Sequence, residues 1–129
     1  MAWRAHAALT ELATAAFQPA LTLLEAARDA YDARPRRDRD ACSNAFDAME
    51  AVAKVKNGMP TATFGAVVAQ VERAGTFHPD VIASLRAINT LRNHHFGHGM
   101  TAPFGLRPHE VDFVYLSCVA GMLLFGRTP

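Results

Sequence analysis

Three of the six histidines, His94, His95 and His98, crowd into five positions directly after Arg92 and Asn93. A histidine can take or give a proton near neutrality, and an arginine carries a permanent charge on a planar donor fork that matches phosphate. Cleavage of an RNA phosphodiester needs those two things: a base for the 2′-hydroxyl proton and a cation to neutralise charge on the phosphate. Arg92 and His98 suit the two tasks, and Asn93 adds an amide beside them. Metal binding is the weaker alternative. The adjacent His94 and His95 cannot share a helix face, and no Asp, Glu or Cys stands near in sequence to complete a ligand set, so neither metal nor other cofactor is expected.

The helix that must position Arg92 opens at Pro79, a favoured first helical residue. At about 100° per residue, Val81, Leu85 and Ile88 fall on one narrow face with Arg92 at its centre. A charged side chain aimed inward needs an anion or a set of carbonyls to meet it. Arg92 could therefore hold a substrate phosphate, or could cap its own helix end or pair with Asp47 or Glu50. His98 is either a catalyst or a loop histidine bonded to backbone. His94 and His95 read as turn residues that could touch a substrate, with Gly97 and Gly99 supplying sharp backbone geometry. His78 and His109 read as helix-start residues.

Helical spacing dominates the rest of the chain, and alternating strand patterns are weak. From Trp3 to Ala33 the composition favours one bent helix or two, with Pro19 as the break. Trp3 stands alone among non-aromatic neighbours and suits a core or interface better than a stacking platform. Arg34 to Asp40 is a mixed-charge boundary whose arginines could contact phosphates, although its aspartates dilute them. Helices then follow over Asp40 to Lys56, stopped by Asn57 and Gly58, and over Thr63 to Ala74, closed by Gly75. After a Met100 to Leu106 loop, Pro108 opens a final helix to about Phe125 that is apolar nearly all round. The expected fold is thus an all-α bundle of about five helices in one domain, residues 1–129, with 1–37 as a helical extension and linker. One side of the last helix should meet the core and the other a second copy of the chain, which predicts a homodimer.

Composition narrows the function. Lys and Arg total 13 against 12 Asp and Glu, so no global field draws the protein to DNA or a membrane, and any nucleic-acid contact must be local. Cys42 and Cys118 lie in apolar helical patterns and read as reduced core thiols. No uninterrupted apolar run approaches the roughly 18 to 20 residues of a membrane span, and Glu11 interrupts the N-terminal stretch, so a cytoplasmic protein without membrane contact is expected.

The run Leu91-Arg92-Asn93 followed by Gly97-His98-Gly99, at the end of a helix in a small helical domain, resembles the motif of the HEPN superfamily. Within it, the similarity is greatest to the C-terminal domain of bacterial abortive-infection proteins. The superfamily pattern is an Arg, four to six intervening residues and a His, often with a polar residue after the Arg. The likeness covers residues 41–126 and leaves out the N-terminal third. It implies a metal-independent ribonuclease of a toxin–antitoxin or phage-defence system, dimeric, with both motifs facing one cleft and an antitoxin or defence protein as a further partner. Arg92 would stabilise the scissile phosphate, His98 would act as base or acid and Asn93 would orient one of them. His94, His95 and Gly99 would line the bound RNA or nucleotide, and the products would carry 2′,3′-cyclic phosphate and 5′-hydroxyl ends. The alternative is a non-catalytic module of the same fold that binds a nucleotide, an RNA or a protein.

Overall fold

A computed structural model describes residues 2–97 and 99–129, with the side chains of 2–5 left out. Its helices are α1 (Ala2–Glu11), α2 (Gln18–Asp32), α3 (Asp38–Lys56), α4 (Phe64–Ala74), α5 (Pro79–Leu91) and α6 (Pro108–Gly126). A 3₁₀ turn, Ala15–Phe17, precedes α2, and a π turn, Arg92–Phe96, extends α5. No strand occurs among the described residues. The Trp3 side chain lies outside the described residues.

The helix beyond the expected five comes from the N-terminal stretch, where the break falls before Pro19 instead of at it. Pro19 occupies the first turn of α2, where a backbone N–H would have no helical acceptor in any case, so the proline begins a helix here and does not end one. The other boundaries follow their local chemistry. The Thr63 hydroxyl accepts from the Ala66 amide at 3.1 Å to start α4, and Gly75 ends it at φ 68°, in the left-handed region that glycine enters without penalty.

The central helix is α3, which buries Ala45, Phe46, Met49, Val52 and Ala53. It lies between α2, which contributes Leu21, Leu24 and Ala27, and α6, which contributes Val114, Cys118, Val119 and Met122. The N-terminal segment therefore shares the core with the remainder of the chain. The α3/α6 approach depends on a missing side chain: a Cβ on Gly121 would fall 2.3 Å from the Met49 sulfur. Phe64 of α4 meets Phe46 and Phe125 edge-on, at centroid distances of 5.1 and 6.1 Å, and so ties α4 to α3 and α6.

Cys42 and Cys118 are free buried thiols, as their patterns suggested, and burial pushes Cys42 up to about 12. A polar clamp joins the α2/α3 connection to the start of α6. Arg36 donates to Asp38, Asp112 and the Pro108 carbonyl, each at 2.7 Å, while the Tyr31 hydroxyl donates to Asp112 at 2.6 Å. The Tyr31 ring stacks on Tyr115 at 4.2 Å. Burial and then the Asp112 carboxylate push the Tyr31 phenol up to about 12, while the Tyr31 and Arg36 donors hold Asp112 below the usual carboxylate range.

By length and composition, α6 is the one helix among the described residues apolar enough to cross a membrane. Within the bundle it is a core helix, with 44 % of that stretch buried. Its other side is uncovered: Phe113 is 62 % exposed, and Leu116, Leu123 and Leu124 are only partly buried.

Candidate functional site

The inward face of α5 carries Leu85, Ile88 and Arg92 as expected, but its fully buried first member is Ile82 and not Val81, and the half-buried Asn89 joins it. At Arg92 the helix loosens from α to π geometry. Such turns are rare and cluster at functional positions because the wider ring re-aims the side chains it carries. Arg92 ends half-buried instead of sealed in the core.

The Arg92 guanidinium stands 5.3 Å from the Phe46 ring centroid, in cation–π range, and its Nη1 donates to Asn93 Oδ1 at 3.3 Å. Of the two carboxylates that the sequence offered as alternative partners for it, Glu50 is engaged elsewhere. One Glu50 oxygen accepts from the Phe64 amide at 3.0 Å and the other lies 3.9 Å from Lys54. Asp47 borders the same narrow void as Arg92, together with Ser43 and Phe96. Gly97 allows the chain to fold back over the arginine: a Cβ there would lie 3.2 Å from the Arg92 carbonyl oxygen and 3.8 Å from its Nε.

Two α3 residues hold this turn and the loop after it. Ser43 Oγ donates to the Phe96 carbonyl at 2.9 Å, and the Phe96 ring is buried at 6.2 Å from Phe46. Arg39 donates to the carbonyls of Ala102 at 2.8 Å and Met100 at 3.4 Å and lies over Phe104 at 5.8 Å. Sequence reasoning did not single out Ser43, and it treated Arg39 only as part of a charge run. The available signal was the spacing of Arg39, Ser43 and Asp47, four residues apart, which places them on one side of a helix whose neighbouring face is apolar. Within that charge run, Arg36 and Arg39 serve internal contacts, whereas Arg34 and Arg37 stay exposed, Arg34 donating to the carbonyls of Tyr31 and Ala33 and Arg37 lying 3.7 Å from Asp40.

The other expected site residues surround the turn unequally. Asn93 and His94 are exposed, and His95 is half-buried, with its ring 6.2 Å from that of His94. Gly99 is exposed at φ 76°. His98 lies outside the described residues. No group of three or more His, Cys, Asp or Glu among the described residues is arranged to hold a metal ion.

On its solvent side Arg92 opens into a cleft of about 510 Å³ between α3, the α3/α4 connection and α5. Lys54, Thr61, Gly65, Asn89 and Asn93 line it with Arg92, and Glu50 forms part of its wall. The Asn89 side chain has no hydrogen-bond partner among the described residues. A half-buried cation flanked by amides and hydroxyls can bind a phosphate and read the polar edge of an attached group. No family model matches the chain, and no curated protein or solved structure matches it.

Proposed function

We propose that the protein is a HEPN-like, metal-independent endoribonuclease, a toxin or phage-defence component that works in the cytoplasm as a homodimer and is controlled by an antitoxin or another defence protein. The observation that supports this reading is the seating of Arg92: packed on Phe46, bonded to Asn93 and open to a cleft, in a π turn that leads into Gly97-His98-Gly99. In the proposed reaction, His98 removes the proton from a ribose 2′-hydroxyl. The freed oxygen attacks the adjacent phosphorus, the bond from phosphorus to the 5′-oxygen breaks, and that oxygen takes up a proton. Arg92 neutralises the charge that accumulates on the phosphoryl oxygens, and Asn93 holds the guanidinium. The products are a 2′,3′-cyclic phosphate and a 5′-hydroxyl.

The test is RNA cleavage by the purified protein in EDTA, with identification of the ends. Arg92→Ala and His98→Ala should each lower the rate by roughly a hundredfold or more. Parent and variants equally inert on varied RNAs would remove catalysis. The non-catalytic binding module would then take its place, a reading favoured by a cleft whose amides, hydroxyls and Arg92 can hold a ligand without a proton-transfer step.

A further inference from the structure

We infer that the cleft beside Arg92 holds one unstacked nucleotide of the RNA, its phosphate on the Arg92 and Lys54 side and its base edge against Asn89. The RNA part of this inference rests on the ribonuclease reading, whereas affinity for a free nucleotide does not. Three features of the cleft carry it. Its volume of about 510 Å³ falls within the range of small-ligand sites, roughly 300 to 1,000 Å³. Its charge is uneven. Glu50 is engaged by the Phe64 amide and lies near Lys54, which leaves Arg92 as the cation without a described carboxylate contact on this side. An anion is therefore favoured, and of modest charge.

The third feature is Asn89, whose half-buried amide offers a donor and an acceptor side by side and uses neither internally among the described residues. Paired donor and acceptor groups are what a base edge presents, and neither a bare phosphate nor an acidic side chain satisfies both. Gly65 completes the shape. A Cβ there would stand 3.6 Å from Asn89 Nδ2, so the absent side chain leaves room in front of that amide.

The experiment is titration of the full chain with 5′-AMP, 5′-UMP and inorganic phosphate, followed by calorimetry. At least one nucleotide should bind ten times more tightly than phosphate. Asn89→Ala should weaken that binding about tenfold, the order expected for lost polar contacts to a charged ligand. Gly65→Phe, at an exposed position in the first turn of α4, should abolish it while circular dichroism and the melting temperature hold steady. Phosphate binding as tightly as either nucleotide, or nucleotide binding indifferent to both substitutions, overturns the inference. The two readings can fail separately. RNA cleavage with kcat/KM unchanged in Asn89→Ala and Gly65→Phe would sink the cleft and leave the ribonuclease. Nucleotide binding weakened by Asn89→Ala and abolished by Gly65→Phe, in a protein that cuts no RNA, would sink the ribonuclease and leave the cleft.

Discussion

At the scale of single residues, the site combines a feature that was legible in the sequence with one that was not. Arg92 was conspicuous because a charged residue continues an apolar helical face, and that anomaly survives in the fold as a half-buried guanidinium. What holds it was hidden, since the Phe46 ring and the Ser43 hydroxyl come from a helix about fifty positions away in sequence, and no local pattern records a contact made only on packing. Gly97 is intermediate. Its presence suggested a sharp turn, yet its backbone is extended, and its role is to let the chain pass close to Arg92. Gly97→Val should therefore displace the guanidinium and lower kcat/KM for RNA about tenfold, as small misplacements of a catalytic group do. The same substitution at Gly105, where an added Cβ meets nothing within 4 Å, should leave kcat/KM unchanged. Equal rates for the two variants would show that Gly97 does not position the arginine.

Among the elements, α3 to α6 were readable because their caps and apolar spacing agree, as Thr63, Gly75, Pro79 and Pro108 illustrate. The start of α2 was misread because proline marks either end of a helix, and only tertiary packing decides which. The contact between α3 and α6 is the one most exposed to mutation. Gly121→Val forces branched carbons into Met49, and with both sites fully buried it should destabilise the fold by about 1 to 3 kcal/mol, measured as a lowered urea midpoint. The clamp between the α2/α3 connection and α6 makes a prediction about pH. The Tyr31 phenol is raised to about 12 in the folded chain, against about 10 in an unfolded one. Its stabilising contribution is then fully present below pH 10 and is lost as pH rises toward 12. Tyr31→Phe should cost about 1 kcal/mol near neutrality and should flatten the alkaline fall in stability, which urea midpoints at pH 8 and pH 11 would resolve. Asp112 has the opposite sense. Its lowered value keeps its contribution intact above the ordinary carboxylate range, and that contribution disappears as pH falls through the folded-state value.

For the whole molecule, the outer side of α6 is the surface that calls for a partner. A helix apolar on every side needs cover on every side, and the bundle covers one, chiefly with α3 against the face carrying Val114, Cys118 and Met122 and with further contacts from α1 and α5. The stripe of Phe113, Leu116, Ala120, Leu123 and Leu124 repeats at helical spacing on the uncovered side, and exposed apolar patches of that kind mark association surfaces. If a second copy covers it, two-fold symmetry sets each stripe against the other, and one charged substitution is introduced twice into the same interface. Leu116→Glu, combined with Phe113→Glu, should then convert a dimer into a monomer in sedimentation equilibrium, with the circular dichroism spectrum intact because neither side chain is fully buried. Activity separates this association from the catalytic arrangement proposed above. A shared cleft predicts that RNA cleavage falls together with the dimer fraction, and that raising the concentration of the double variant restores neither. A parent that sediments as a monomer at every concentration while still cutting RNA would show that each chain acts alone, and the stripe on α6 would then require a partner of another kind.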